Sequence, residues 1–169
     1  MKITAAILTV SDSCDKGLRQ DASGPRLRVL LADAGFEVKT TRIVPDEVER
    51  IASTLRELSN EARFIVTTGG TGIATRDVTP EATRAVCERV IDGIAELMRH
   101  EGMKHTSFAA LSRGVCATLG KSLVLNLPGS PAGAEQSLKT VLPLVSHALD
   151  LLAGKTEHSG AHQQQNRRR

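Results

Sequence analysis

The stretch RFIVTTGGTGIATRDVTPEAT, residues 63–83, joins an apolar run directly to a loop rich in glycine and threonine. Residues 63–68 predict a strand buried in a sheet, because Phe, Ile and Val suit a pleated surface that is covered on both faces. The glycines end that strand, and Pro80 is well suited to the first turn of a helix. The stretch therefore predicts a strand, a bare polar loop and a helix, in that order.

The segments before this stretch repeat the same alternation. Residues 3–10, ITAAILTV, predict a first buried strand, and residues 36–44 predict a second. Each of these strands is followed by apolar residues at helical spacing. They are Leu27, Leu30, Leu31 and Ala34 after the first strand, and Val48, Ile51, Ala52, Leu55 and Leu58 after the second. The order β-α-β-α-β predicts an α/β fold, a mostly parallel sheet with helices on both faces.

The second half of the chain predicts three more helices and a pair of strands. A short helix begins at about Pro80, and a longer one contains residues 94–98. Residues 114–129 predict two strands around a Gly-Lys turn. The last helix begins at Pro131 after a serine cap. Pro143 lies inside its apolar pattern and predicts a kink or a split, because proline removes a backbone hydrogen bond.

Composition predicts one domain, residues 1–154, and a polar, basic tail, residues 155–169, that remains disordered because it has little to bury. The tail holds four Lys or Arg and one acidic residue, so 18 residues of each sign remain in a neutral body. Aromatic residues make up 2% of the chain, with no Trp or Tyr, which argues against a nucleic-acid module that stacks bases.

Other signals point to a cytoplasmic protein without a membrane anchor. No apolar run is long enough to span a bilayer, and no signal peptide is recognisable. Cys14, Cys87 and Cys116 are odd in number and have no CxxC spacing, so reduced thiols are expected.

Three polar loops follow three predicted strands and predict a common site. They are SDSCDKG (11–17), GGTGIATRD (69–77) and NLPGSP (126–131). In open parallel sheets ligands bind beyond the carboxyl ends of the strands. Glycines allow backbone N–H groups to approach an anion closely, and threonine hydroxyls add donors. The alternative is a tight turn that binds no ligand.

Two segments that resemble known nucleotide-binding motifs are excluded as such motifs. GVCATLGKS (114–122) has five residues between its glycines where a phosphate-binding P-loop has four, and it leads into a strand instead of a helix. GTGIAT (70–75) lacks the third glycine of a dinucleotide fingerprint.

Two acids are candidates for chemistry, each with a structural alternative. Asp46 forms a capping pattern with Glu49, and capping alone would explain it. Thr79 is expected to cap the helix after the glycine loop, which leaves Asp77 without an evident structural role. Arg76 would be its surface ion pair, a weak interaction.

No arrangement of nucleophile and base is recognisable around the serines. Ser11 and Ser112 have no His partner in a known motif, and LSRG (111–114) lacks the glycines that flank a nucleophile elbow. Ser112 and Arg113 are better interpreted as anion contacts, since arginine binds phosphate through a bidentate fork. Capping remains an equal alternative for the serine.

The segments ILTVSDS, DASGP, IVPDE, TTGGTGIATRDVTPEAT, LSRG and NLPGSP occur in this order between residues 3 and 153. This combination resembles the MogA/MoaB family of molybdenum cofactor biosynthesis proteins. The resemblance implies a three-layer α/β sandwich that forms a homotrimer. It also implies that molybdopterin is adenylylated with ATP and Mg²⁺, releasing pyrophosphate.

The resemblance also assigns residues by motif. Asp46 and Asp77 match the two catalytic aspartates, which are also candidate Mg²⁺ ligands. The three loops and the LSRG segment supply the expected substrate contacts: Ser11, Asp12, Gly69, Gly70, Thr71, Gly72, Ser112, Arg113, Asn126, Gly129 and Ser130. The nucleophile would be the terminal phosphate of molybdopterin, which is ionised at neutral pH, so no His or Lys base is required.

Two alternatives remain open. The first is a trimer that binds or carries molybdopterin without catalysis, passing it to a partner such as a molybdenum-insertion enzyme. Its sign would be pterin binding without release of pyrophosphate. The second is a nucleic-acid binder that works through the terminal NRRR, residues 166–169, and would show steep salt dependence.

Overall fold

The structure is a computed structural model that describes residues 2–155 of the 169-residue chain. The predicted tail lies outside the described residues apart from Lys155, so the boundary predicted at residue 154 stays a prediction. Within the described part, every strand belongs to one six-stranded sheet. None of the helices formed by residues 2–155 has the length and apolar character needed to cross a bilayer.

The sheet contains strands β1 Thr4–Val10, β2 Glu37–Val44, β3 Phe64–Thr68, β4 Arg89–Val90, β5 Cys116–Leu119 and β6 Ser122–Leu127. Their order across the sheet is β2-β1-β3-β6-β5-β4. The first four strands in that order are parallel, and β5 and β4 continue the sheet in antiparallel pairs. The three strands predicted in the first half are confirmed to within one residue at each end. The two-residue strand β4 is too short to leave a pattern in the sequence.

Residues 2–155 form six α-helices and one 3-10 helix. They are α1 Asp12–Asp15, α2 Ser23–Asp33, α3 Val48–Glu61, α4 Thr79–Val86, α5 Asp92–Met103, the 3-10 helix Ser107–Leu111, and α6 Pro131–Leu152. Helix α2 begins before its predicted apolar pattern because Asp21 accepts hydrogen bonds from the N–H groups of Ser23 and Gly24, at 3.0 and 2.9 Å. These bonds satisfy donors that a helix start leaves unpaired.

Helices cover both faces of the sheet, as predicted. Successive side chains of a strand point to opposite faces, so Ala5 and Ile7 of β1 lie on one face and Ala6 and Leu8 on the other. The first core contains residues of α2, α5 and α6, among them Leu27, Leu31, Ile94, Met98, Leu138, Val141 and Val145. The second contains residues of α3 and α4, among them Ile51, Leu55, Leu58 and Ala82. The predicted three-layer α/β fold is confirmed.

Neither the cap expected at Thr79 nor the capping alternative for Asp46 occurs. Glu47 occupies the capping position of α3 and makes no side-chain cap bond, so Asp46 is not the cap. Val78 occupies that position in α4, so Thr79 does not cap this helix either. In both cases the side chain expected to cap bonds a neighbouring loop instead, which only tertiary packing brings within reach.

Of the two predictions made for Pro143, a kink or a split of the last helix, the split is wrong. Helix α6 continues through Pro143 for 22 residues. Proline has no N–H to donate to the carbonyl of Lys139, but both residues are exposed, so water can satisfy that carbonyl. Val141 and Val145, buried in the first core, anchor the helix on either side.

All three cysteines are free, as predicted. Burial raises the pKa of the Cys87 and Cys116 thiols to about 12. Both thiols are therefore uncharged at neutral pH, and uncharged thiols are poor nucleophiles.

Candidate active site at the carboxyl edge of the sheet

The four parallel strands end level with one another, which brings their loops together. Val10 at the end of β1 is paired with Val44 at the end of β2. Across the other edge of β1, Thr9 is paired with Thr68, which is paired in turn with Leu127 at the end of β6. The three predicted loops, and the Pro-Asp turn after β2, therefore lie side by side at one edge of the sheet.

Asp12, in the loop after β1, and Asp46, in the turn after β2, exchange two hydrogen bonds. The N–H of Asp12 donates to Oδ2 of Asp46 at 2.8 Å, and the N–H of Asp46 donates to Oδ1 of Asp12 at 3.0 Å. Both residues stand two positions beyond the paired strand ends, so parallel pairing produces this exchange directly. The carboxylate of Asp46 is fixed at one oxygen, and its other oxygen, Oδ1, accepts no hydrogen bond from residues 2–155.

Arg76 was expected to pair with Asp77, but in the structure it pairs with Asp12. Its guanidinium donates to both carboxylate oxygens of Asp12, over 2.6 to 3.0 Å. This pairing lowers the pKa of Asp12, with a smaller contribution from the N–H of Asp46. The glycine loop is thereby tied to the loop after β1. Asp12 was predicted to contact substrate, but its carboxylate is occupied by Arg76 and Asp46.

Asp46 behaves differently, because burial raises its pKa and the negative charges of Asp12 and Asp77 add to that effect. The hydrogen bond from Asp12 and the charge of Arg76 act in the opposite direction. A partly buried carboxylate with other carboxylates nearby is a favourable place for a cation, since a cation relieves both penalties.

Gly69 and Gly70 permit the close approach of the loop after β3 to its neighbours. Their φ angles are +100° and +63°, in the region that favours glycine. A Cβ on Gly69 would collide with the carbonyl oxygen of Val10, and one on Gly70 would lie 3.2 Å from Oδ1 of Asp46. The N–H groups of Gly70, Thr71 and Gly72 donate to no acceptor within the described residues. The predicted loop of backbone donors is therefore present beside the Asp46 carboxylate.

Asp77 lies at the far end of the same loop. Its carboxylate oxygen Oδ2 accepts from the N–H of Ala74 at 2.8 Å, and its own N–H donates to the carbonyl of Ala74 at 2.9 Å. A Cβ added to Gly72 would lie 2.8 Å from Oδ2. Asp77 therefore has a structural role that the sequence did not suggest, and its Oδ1 accepts no hydrogen bond within residues 2–155.

Thr79 holds the base of this loop. Its hydroxyl donates to the carbonyl of Gly69 at 2.9 Å, and its N–H donates to the carbonyl of Gly70 at 3.0 Å. Together these bonds fold the glycine turn back onto the start of α4. This is the contact that replaces the expected helix cap.

Two of the predicted substrate contacts face other parts of the protein. Asn126 is 1% exposed, and its amide bonds Thr67, Thr83 and the N–H of Val115. Arg113 donates to the carbonyls of Gly72 and Asp77 and pairs with Glu81. The polar atoms of Asn126 are enclosed and satisfied within the protein, and the guanidinium of Arg113 is engaged there too, so their substrate contacts stay predictions.

The remaining predicted residues lie at the loop edge, and the serines take part in capping. Ser11 caps α1 and Ser130 caps α6, each accepting from an N–H three residues on at 3.3 Å. The hydroxyl of Ser112 accepts from the N–H of Gly114 at 3.4 Å. Gly129 packs against Gly69, since a Cβ on it would lie 3.3 Å from the Gly69 Cα. The hydroxyls of Ser112 and Ser130 donate to no acceptor within residues 2–155, whereas the hydroxyl of Ser11 also bonds that of Ser13 at 3.1 Å.

Two cavities share Gly129 as a lining residue. One, of about 300 Å³, is lined by Thr71, Gly72 and Ser112 and by apolar side chains of α5 and the 3-10 helix, including Met98, Phe108 and Leu111. The other, of about 200 Å³, is more polar and is lined by Ser11, Arg19, Gln20, Asp21, Ser23 and Thr68. The residues from α5 and the 3-10 helix were not predicted. The one available signal was Phe108, one of only three Phe residues and 77% exposed.

Asp46 and Asp77 suit a hard divalent cation. Mg²⁺ in nucleotide enzymes is typically held by one or two carboxylates together with phosphate oxygens and water. Each of the two acids has an oxygen free of hydrogen bonds from the described residues, and the charge of Asp77 reaches Asp46. Within residues 2–155 no cluster of three His, Cys, Asp or Glu side chains is positioned for a metal, so a site made by protein ligands alone is not expected there.

Comparisons with known proteins agree with this architecture. Residues 6–147 match the family described as "Probable molybdopterin binding domain". The chain is 37% identical over 156 residues to the molybdopterin adenylyltransferase of Helicobacter pylori strain J99, covering 90% of this chain and 89% of that one. It is 42% identical over 153 residues to the molybdenum cofactor synthesis protein cinnamon of Drosophila melanogaster, covering 89% of this chain but only 26% of that longer protein.

A solved structure gives the same result. The crystal structure of the molybdopterin biosynthesis enzyme MoaB from Thermus thermophilus superposes with a TM-score of 0.85 at 49% identity, covering 90% of this chain and 98% of that one. Sequence and structure therefore agree that this chain belongs to the MogA/MoaB family of molybdenum cofactor biosynthesis proteins.

Proposed function

We propose that this chain is a molybdopterin adenylyltransferase, which transfers AMP from ATP to the terminal phosphate of molybdopterin and releases pyrophosphate. The observation that carries the proposal is the arrangement at the carboxyl edge. Two carboxylates, Asp46 and Asp77, flank a glycine loop whose N–H groups at residues 70–72 have no acceptor within the described residues. Free donors between two acids suit a phosphate that is bound together with a cation.

The chemistry requires alignment and charge neutralisation. An oxygen of the terminal phosphate of molybdopterin bonds to the α-phosphorus of ATP, and the bond from that phosphorus to the β-phosphate oxygen breaks, so that pyrophosphate leaves. The glycine loop would orient a phosphate through its N–H groups, and Asp46 and Asp77 would hold Mg²⁺. When bound, Mg²⁺ supplies positive charge that offsets the charge of the phosphates. The attacking oxygen is already ionised, so no side chain has to remove a proton.

The two cavities support a reaction between two substrates. Both are lined by Gly129, which packs on the glycine loop, so ligands in the two cavities would approach each other beside that loop. The larger cavity has an apolar lining suited to a flat ring system, and the smaller one has polar groups suited to hydroxyl or phosphate oxygens.

We propose three further properties together with this activity. The protein works as a homotrimer, it is cytoplasmic, and its product passes to a molybdenum-insertion enzyme.

The test is release of pyrophosphate by the purified protein supplied with molybdopterin, ATP and Mg²⁺. We expect one pyrophosphate for each adenylylated molybdopterin, and no release when molybdopterin or Mg²⁺ is omitted. Binding of molybdopterin without any release of pyrophosphate would contradict the enzyme and support a carrier protein of the same pathway.

Asp12 is expected to act on this reaction through Asp46. Replacing Asp12 with alanine removes the acceptor for the Asp46 N–H and the partner of Arg76. We expect turnover to fall about tenfold or more, the range found when residues that orient metal ligands are removed. Asp12→Asn should fall less, because its amide oxygen still accepts from Asp46. Steady-state pyrophosphate release measures both.

Glu135→Gln is the matched control for this prediction, because it removes an exposed ion pair, with Lys139, on α6. It should leave turnover unchanged. Equal turnover in Asp12→Ala and the native protein would show that the exchange of hydrogen bonds does not position Asp46.

A further inference from the structure

Arg113 precedes β5 and reaches across to the loop that carries Asp77. Its Nε donates to the carbonyl of Gly72 at 2.6 Å, and its Nη2 donates to the carbonyl of Asp77 at 2.5 Å. Its Nη1 forms an ion pair with Glu81 in the first turn of α4. Its main-chain N–H donates to the carbonyl of Thr71 at 2.9 Å. One residue therefore holds the loop at Thr71, Gly72 and Asp77.

These contacts close the loop around the acid. The guanidinium joins the carbonyls of Gly72 and Asp77, which stand at the two ends of the excursion over residues 72–77. The Asp77 carboxylate lies directly against Gly72, where a Cβ would be 2.8 Å from Oδ2. The distance between these two backbone positions thus sets where the carboxylate stands relative to the free N–H groups of the loop.

The same contacts leave little of Arg113 for an anion. A guanidinium has five N–H donors, and the bonds to Gly72, Asp77 and the two Glu81 oxygens use four of them. The ion pair with Glu81 also neutralises its charge and lowers the pKa of Glu81. The interpretation of Arg113 as a phosphate ligand therefore has little support in its contacts.

We propose that Arg113 is a positioning residue that sets the Asp77 carboxylate for cation binding by fixing the backbone on both sides of it. The inference rests on the proposed function, in which Asp77 holds Mg²⁺. The planar fork is required, because only a guanidinium donates in two fixed directions to two carbonyls and a carboxylate at once. A lysine at this position keeps the charge and can remain near Glu81, but its single ammonium cannot hold both carbonyls.

The chain contains a matched control for this role. Arg63, directly before β3, makes a similar clamp at the opposite end of that strand. Its Nε donates to the carbonyl of Lys121 at 2.6 Å, and its Nη2 donates to the carbonyl of Leu149 at 3.1 Å. Arg63→Lys removes comparable hydrogen bonds far from the glycine loop. It therefore reports the effect of losing an arginine clamp on the fold alone.

The experiment compares Arg113→Lys, Arg63→Lys and the native protein. The first measurement is binding of Mn²⁺, as a spectroscopic stand-in for Mg²⁺, in the presence of a non-hydrolysable ATP analogue. The second is binding of that analogue without metal, and the third is the thermal midpoint. We expect Arg113→Lys to weaken Mn²⁺ binding about tenfold, as replacements of residues that orient metal ligands do. Its affinity for the metal-free analogue should not change, and Arg63→Lys should bind both ligands like the native protein.

Glu81→Gln separates the ion pair from the carbonyl contacts. It removes the charge that Arg113 faces but leaves the bonds to Gly72 and Asp77 available. Its Mn²⁺ affinity should lie between those of the native protein and Arg113→Lys.

Three results would overturn the inference. Weaker binding of the metal-free analogue, with Mn²⁺ affinity unchanged, would make Arg113 an anion ligand. Equal losses in Arg113→Lys and Arg63→Lys that follow their thermal midpoints would make its role purely structural. Absence of Mn²⁺ binding by the native protein would remove the metal role of Asp77.

Failure of the proposed function gives a different result, because Mn²⁺ binding would still differ between the variants while the native protein released no pyrophosphate.

Discussion

Asp77→Asn is expected to reduce release of pyrophosphate to a small residual rate while leaving the fold intact. Asparagine keeps an oxygen that can accept from the Ala74 N–H, so the turn over residues 74–77 is preserved. What disappears is one of the two negative charges available for Mg²⁺ at the edge of the sheet. We expect a loss of about 10² to 10³ in turnover, the scale on which removal of one group that stabilises a transition state is felt.

Pyrophosphate release at saturating substrates measures this effect, and circular dichroism and the thermal midpoint confirm the fold. Asp150→Asn is the matched control, since it removes an acid at the end of α6, where Asp150 pairs with the exposed Lys155. It should retain full activity. Turnover of Asp77→Asn equal to that of the native protein would defeat the assignment of Asp77 to the metal.

Gly69→Ala is expected to cause the largest loss of stability of any single change at the site. The φ angle of +100° is strained for alanine, and the added Cβ would collide with the carbonyl oxygen of Val10 in the central strand β1. The clash is with backbone, so rotation of a side chain cannot relieve it. We expect the free energy of unfolding to fall by about 3 kcal/mol or more, combining the cost of the strained backbone with the displacement of β1.

Gly120→Ala isolates the contribution of the backbone angle. Gly120 has a φ of +56° in the turn between β5 and β6, and a Cβ there meets nothing within 4 Å. Its cost should be about 1 kcal/mol, the penalty of a left-handed residue alone. Urea denaturation gives both values. If the two substitutions cost the same, the contact between Gly69 and Val10 does not constrain the loop.

The strand and helix order was predictable because burial leaves a periodic pattern. β1 and β3 are interior strands of the sheet with helices on both faces, so they are continuous apolar runs. Their parallel order then required polar loops at a common edge, which located the glycine loop and the loop after β1 without coordinates. The choice of family depended on the motifs in those loops, especially TTGGTGIATRDVTPEAT.

The partners of the charged side chains could not be predicted in the same way. Arg76 is adjacent to Asp77 in sequence, yet it pairs with Asp12, 64 residues away. Arg113 was interpreted as an anion contact, but it holds the backbone of residues 41 and 36 positions earlier. Asn126, in a loop motif, turns inward to Thr67 and Thr83. The sequence offers each side chain several possible partners with the same kind of hydrogen-bonding group. Only the distances in the folded protein select among them.

The amino-acid sequence alone was enough to predict the layers of the fold and the edge of the sheet where three polar loops, one of them carrying Asp77, come together. These features depend on local patterns, because buried strands and glycine loops can be recognised from residues that are adjacent in the sequence. The tertiary structure was needed to show that Asp12 bonds Asp46 and that Arg113 bonds the backbone on both sides of the Asp77 loop. Those contacts arise where separate strands end at the same level. The hydrogen bonds between the loops that follow are directional, so they depend on atomic positions that local sequence patterns do not determine.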